Sequence, residues 1–320
     1  MSDTHDIHVI ETGYVRPGLC AAYLVVENGR AALIDCGTAT CAPRVLDALA
    51  AHGVARETVD WLLVTHVHLD HAGAAGPLMQ ALPNAKLVVH PRGAPHMIDP
   101  ARLIAGAKAV YGEEAFNRDH AGMLPVPAER VVVAEVVGND AGHVVDLAGR
   151  PLLCIDTPGH AKHHFSVWDA RSRSWFAGDI FGISYRELDV DGREFILPTT
   201  SPVQFDPDEM HASIERLVER KPASIRIAHY NQVFDITRLT ADLHAQVDEM
   251  VRLVELAGTD ADRHARLVAD LSALYLRRAR EHGVAQSDAE VLDLLHMDIE
   301  LNAQGLQIWF DRRKKTSDGP

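Results

Sequence analysis

Three imidazoles and a carboxylate fall within six residues, His66-Val67-His68-Leu69-Asp70-His71. They follow the apolar run Trp61-Leu62-Leu63-Val64, which reads as a strand handing over to a loop. Histidine and aspartate gain nothing from burial at such a place. Either they are solvated loop residues or they share something that needs many nitrogen and oxygen donors. His66 and His68 are two apart, so in extended backbone they point the same way, and Asp70 and His71 follow as the chain turns. Two imidazoles for one cation, and a carboxylate with an imidazole for its neighbour, make half of a binuclear site. Such donors suit Zn(II), Fe or Mn, and the cluster offers no cysteine. The pattern H-x-H-x-D-H should arise by chance in under roughly one sequence in a hundred, which favours a metal over accident.

The remaining donors must come from other strand ends, and three places match. D-T-P-G-H at 156–160 presents His160, F-A-G-D at 176–179 presents Asp179, and I-A-H-Y at 227–230 presents His229. Each alone reads as an ordinary polar loop residue. In this order behind the cluster they form one pattern.

Residues 20–35 hold two apolar runs around Asn28-Gly29, a hairpin signal. A helix is predicted over 43–52, strands over 59–65 and 86–90, a short helix near 73–82 and an interrupted helix over 97–120. Strands over 131–137, 143–147 and 151–156 follow, then F-S-V-W-D and S-W-F-A-G-D, ending at Asp169 and Asp179. D-P-D-E at 206–209 starts a helix running to about Arg220, and S-I-R-I-A-H closes this part at His229. Beyond about 236 the patterning is helical, over 237–257, 260–282 and 288–311, with Thr259-x-x-Asp262 and Ser287-x-x-Glu290 as capping boxes. The R-R-K-K run at 312–315 reads as a solvated tail.

A formal charge of −14 disfavours nucleic acid or an anionic membrane as the main partner. The four cysteines lie far apart with no C-x-x-C pair, which points to reduced thiols in a cytoplasm. No secretory leader and no membrane-length apolar run is visible. The expected partner is a small-molecule substrate, with the C-terminal helices offering a surface for a homo-oligomer.

T-H-V-H-L-D-H-A-G, T-P-G-H, F-A-G-D, the late His229 and I-D-C-G at 34–37 resemble the metallo-β-lactamase superfamily over about residues 7–235. The resemblance implies an α+β fold, an αββα sandwich with the metals at one edge between the sheets. To it this chain adds a mostly helical insertion at about 91–125 and an α-helical C-terminal appendage, 236–320. Carried over by position, His66, His68 and His160 hold one metal; Asp70, His71 and His229 hold the other; Asp179 bridges them; and Asp35 orients a ligand from behind. His164 is read as structural or supporting, while His90, His96, His120, His143 and His163 are read as mostly surface or loop residues. Phe181, Tyr185 and Phe195 either pack or wall the substrate, and Tyr185 is the candidate oxyanion donor.

The implied activity is a binuclear metal-dependent hydrolase acting on an ester, thioester or lactone through metal-activated hydroxide. Its cofactors are two divalent ions, zinc first and iron or manganese second, and Asp70 handles the proton. The G-G-C-G-R-type run of glyoxalase II is missing after Asp179. An iron-dependent oxidoreductase of the same fold, persulfide dioxygenase-like or di-iron oxygen-binding, is the alternative. Di-iron members usually carry Glu where this chain has His68, which favours hydrolysis.

Overall fold

The computed structural model describes residues 5–200 and 202–317. They form two compact units. The first comprises the chain up to Asp156 with His163–Gly178 and Pro222–Phe234; the second comprises Thr157–Lys162, Asp179–Lys221 and the chain from Asp235.

The first unit holds two six-stranded sheets. One runs in sequence order through β1 (Ile7–Glu11), β2 (Ala21–Glu27), β3 (Arg30–Ile34), β4 (Val59–Leu63), β5 (Lys86–Val89) and β6 (Val131–Val133). The other is built from β7 (His143–Leu147), β8 (Arg150–Asp156), β9 (Phe165–Asp169), β10 (Ser174–Gly178), β11 (Ser224–Ile227) and β12 (Asn231–Val233). Both sheets are mixed: β3 to β6 pair in parallel, as do β10 and β11, and the other neighbours are antiparallel. β2, β3 and β5 read as near-continuous apolar runs because both faces of the sheet are buried there. Ala31 and Leu33 of β3 enter a core shared with helices, and Ala32 and Ile34 enter a second core with Phe165, Val167 and Phe176 of the other sheet. The helices of this unit are α1 (Ala42–Ala51), α2 (Leu69–Ala72), α3 (Ala75–Ala81), α4 (Ala94–Ile98), α5 (Ala101–Tyr111) and α6 (Glu113–Asp119).

Between the paired strands β8 and β9, Arg150 donates to Asp169 through Nε at 3.0 Å and Nη2 at 2.6 Å, with both residues buried. Burial alone would raise the Asp169 carboxyl, but the bonds from Arg150 and Ser172 outweigh it and hold the group below its ordinary value.

The second unit contains α7 (Pro207–Val218), α8 (Ile236–Ala257), α9 (Arg263–His282) and α10 (Asp288–Ser317). Leu239, Leu243, Val247, Met250 and Val254 of α8 repeat at helical spacing and are buried, as the predicted amphipathic pattern requires. Asn302 of α10 accepts from Thr200 N at 2.7 Å and donates to Tyr275 of α9 at 2.7 Å, tying a loop to the helices. Among the described residues no helix is long and apolar enough to cross a membrane.

Most predicted elements are present with ends shifted by a few residues, and four expectations change. The predicted strand 131–137 shortens to β6, because Val136 N turns back to bond Ala134 O. The short helix expected near 73–82 is α3, and it is preceded by an unexpected helical turn, α2, that begins inside the cluster at Leu69. α9 starts at Arg263 with Asp262, not Thr259, as its cap residue, whereas Ser287 and Glu290 do exchange both capping bonds. The basic run 312–315 belongs to α10, and Arg312 donates to the carbonyls of Val203 and Phe205.

Candidate metal centre

The turn after β4 does what the spacing requires. His68 is extended and α2 starts at Leu69, so the pair His66/His68 is followed by one helical turn that delivers Asp70 and His71. In the first unit this brings together five of the predicted residues. His66 Nε2 and His68 Nδ1 face each other at 2.9 Å, and the rings of His66 and His71 are 4.0 Å apart. Asp70 Oδ2 lies 3.5 Å from His71 Nε2 and 3.3 Å from His229 Nε2. In the second unit the other two meet, with His160 Nε2 and Asp179 Oδ2 3.5 Å apart. The chain connection is short: Asp179 directly follows Gly178 at the end of β10, and His160 lies four residues beyond Asp156 at the end of β8.

What the far nitrogens do is informative. His71 Nδ1–H donates to Asp35 Oδ2 at 3.0 Å, His229 Nδ1–H to Leu19 O at 2.7 Å, and His160 Nδ1–H to Thr199 O at 3.2 Å. Each partner is an acceptor only, so the proton sits on Nδ1 and the Nε2 lone pair points inward. Thr65 Oγ1 gives its own proton to Asp35 and accepts from His66 Nδ1 at 3.2 Å, which fixes His66 the same way. Inward lone pairs facing carboxylate oxygens repel unless a cation lies between them. Bonds of 2.0–2.2 Å to a shared ion place such atoms roughly 3–3.5 Å apart. The donor set therefore fits divalent metal, with the imidazoles of His66, His71, His160 and His229 each aimed by an outer partner.

Asp35 is the hub of that outer layer. It is buried, accepts Thr65 N at 2.7 Å and Thr65 Oγ1 at 2.9 Å, and holds His71. The glycines of the flanking motifs have steric reasons. Gly178 has φ +53°, and a Cβ there would meet His164 Nε2 and Thr65 Oγ1 at 2.6 Å. Gly159 has φ +129° and lies against the backbone of Met210 in α7, 2.4 Å from where its Cβ would stand.

Cys20 was not singled out from the sequence. Its sulfur, a carboxylate oxygen of Asp70 and an imidazole nitrogen of His229 lie within 4.8 Å of one another. It precedes β2, where Ala21 N bonds Ala228 O at 2.8 Å and so sets Cys20 next to His229. That pairing joins residues some two hundred positions apart, and no local signal announces it. Three histidines expected at the surface are buried. His90 bonds Asp156 Oδ1 at 3.1 Å, and His163 accepts from Val67 N at 3.4 Å. His120 meets Tyr14 Oη at 3.2 Å. Burial lowers the His120 imidazole and raises the Tyr14 phenol, the latter helped by the neighbouring acidic groups of Tyr111, Asp70 and Cys20, so both stay uncharged near neutrality. Phe181, Tyr185 and Phe195 are buried, and Tyr185 Oη donates to Asp298 Oδ1 on α10 at 3.2 Å.

The profile of the metallo-β-lactamase superfamily matches residues 15–229. This chain belongs to that superfamily. Its two mixed sheets, helices and C-terminal helical region are the metallo-β-lactamase fold. Among relatives, the metallo-β-lactamase fold-containing protein ST1585 of Sulfurisphaera tokodaii is 28% identical over 227 residues, 70% of this chain and 77% of that protein. The hydroxyacylglutathione hydrolase of Cupriavidus taiwanensis is 34% identical over 149 residues, 45% of this chain and 47% of the enzyme. The crystal structure of ST1585 superposes with a TM-score of 0.62 at 21% identity, covering 95% of this chain and 99% of that one. That of a peroxy di-iron chemotaxis sensor, ODP, gives 0.51 at 18% identity over 76% of this chain and 91% of the sensor. The superfamily includes hydrolases and some di-iron oxidoreductases.

Proposed function

We propose that this metallo-β-lactamase superfamily member is a binuclear metal-dependent hydrolase of a carboxylic ester, thioester or lactone. The observation that carries the reading is the set of imidazoles held by their outer nitrogens with inner lone pairs aimed at Asp70 and Asp179. His66, His68 and His160 would hold one ion, Asp70, His71 and His229 the other, and Asp179 would bridge them. Zinc is the first choice, with iron or manganese next. Such ions, when bound, supply a hydroxide nucleophile at neutral pH and polarise the scissile carbonyl. Asp70 would accept the proton of the attacking water and return it to the leaving group. Asp35 keeps the His71 proton on the outer nitrogen throughout. Tyr185 would steady the developing oxyanion, for which its hydroxyl must turn from Asp298.

Residues 7–235 would form the catalytic domain, with 236–320 and the 91–125 insertion setting substrate choice. Similarity to a hydroxyacylglutathione hydrolase supports a thioester among the candidates. Four cysteines without a disulfide suit a reducing cytoplasm. Metal analysis with a panel of ester, thioester and lactone substrates, run beside an oxygen electrode, tests the reading. Two zinc ions per chain with hydrolysis and no oxygen uptake are expected. Iron with oxygen consumption and no hydrolysis would replace it with the oxidoreductase.

A further inference from the structure

A second group of donors lies in the helical unit. His211 and Glu215 are one turn apart on α7, and His244 and Asp248 are one turn apart on α8. The four are cross-bonded. His211 Nε2 lies 3.1 Å from Asp248 Oδ1, and His244 Nε2 lies 2.7 Å from Glu215 Oε1. The rings stack with centroids 4.7 Å apart, and their Nδ1 atoms face each other at 2.5 Å. A carboxylate only accepts, so each Nε2 carries a proton and donates it outward. Two inward Nδ1 lone pairs at that separation repel unless a cation sits between them. An imidazole whose far N–H is held by a carboxylate is also the arrangement that raises ligand basicity and fixes ring orientation at metal sites.

We propose that His211 and His244 form a second metal site, a two-nitrogen clamp between α7 and α8 for a borderline divalent transition ion such as Zn(II), Ni(II) or Cu(II). Two nitrogens bound tetrahedrally at 2.0–2.1 Å stand about 3.3 Å apart, so the rings need part by less than about 1 Å. Side chains 27% and 24% exposed have that freedom. A cavity of about 570 Å³ opens beside them, lined by His211, Asp208, Asp248 and Lys162 among others, and gives room for water to complete the coordination sphere. The clamp also bears on the T-P-G-H loop: Ser213 of α7 donates to Pro158 O at 2.5 Å, and Asp206 N to Gly159 O at 2.8 Å. Fixing α7 to α8 therefore stiffens the support of His160.

The test compares wild type with the His211→Ala/His244→Ala double variant, both zinc-replete at their own centre and desalted. Zinc titration by calorimetry should show one more ion per chain in wild type, and added zinc should raise the Tm of wild type alone. Cu(II) added to zinc-replete wild type should give an electron paramagnetic resonance spectrum with coupling to two imidazole nitrogens, a readout that needs no variant. Asp248→Asn should weaken the extra site by about 10–100-fold. Equal zinc stoichiometry in wild type and double variant, or a copper spectrum without nitrogen coupling, would overturn the proposal and leave a proton as the shared cation.

Discussion

Replacing Asp35 by Asn tests the proposed metal centre from behind without touching a proposed ligand. Asp35 has φ +57°, a conformation Asn tolerates, so the substitution spares the backbone strain that Ala would add. It changes only the acceptor inventory. The carboxylate takes three donors, from Thr65 N, Thr65 Oγ1 and His71 Nδ1. The amide offers one oxygen and one NH2 group. If the NH2 faces His71, the ring must accept at Nδ1 and carry its proton on Nε2, which removes that nitrogen as a metal donor. If the NH2 faces Thr65, a buried N–H loses its acceptor at a cost of about 1–3 kcal/mol, and His66 loses the hydroxyl that aims it. Either way, metal affinity should fall by about 10–100-fold, or about 1.4–2.7 kcal/mol. Chelator competition with elemental analysis reads the affinity, and thermal unfolding reads the stability. A variant with lowered Tm but wild-type affinity for both ions would refute the orienting role and leave Asp35 a folding residue.

Asp179→Ala should lose metal and activity together, since the proposed bridge contacts both ions, whereas Asp70→Asn should cost turnover more than occupancy of the His66/His68 ion; metal counts beside kcat separate them. Tyr185→Phe should lower kcat by about 10²–10³ with metal content unchanged if the phenol serves the oxyanion. Unchanged kcat would leave it the buried partner of Asp298. Asp169→Asn should destabilise the fold near neutrality by less than the roughly 3–5 kcal/mol of a broken buried pair, because Arg150 keeps Glu27 at 3.7 Å and its bond to His5 O. The Asp169 carboxyl is held low in the fold, so its contribution is present above the unfolded value of about 3.9 and is lost as pH falls through the folded value. The gap between wild type and variant in urea unfolding should thus close in acid, and a gap independent of pH would refute the pair's role.

The sequence by itself determined the elements and the donors. Apolar runs ending in H-x-H-x-D-H, P-G-H, A-G-D and A-H wrote strand and candidate donor together, because a strand end is where a buried run must hand over to polar groups. The Asn28-Gly29 hairpin and the Ser287/Glu290 cap were legible because they are local, set by residues within a few positions of each other. What tertiary structure decided is everything set by contact across the chain. Cys20 reaches Asp70 and His229 only because β2 meets the segment after β11. The tautomers of His71, His160 and His229 depend on Asp35, Thr199 and Leu19, at least thirty-six residues away. His90, His120 and His163 are buried for the same reason: a histidine reads as a surface residue until the fold supplies its distant partner. Donor identity is a property of the residue, and the direction of a lone pair is a property of its neighbours.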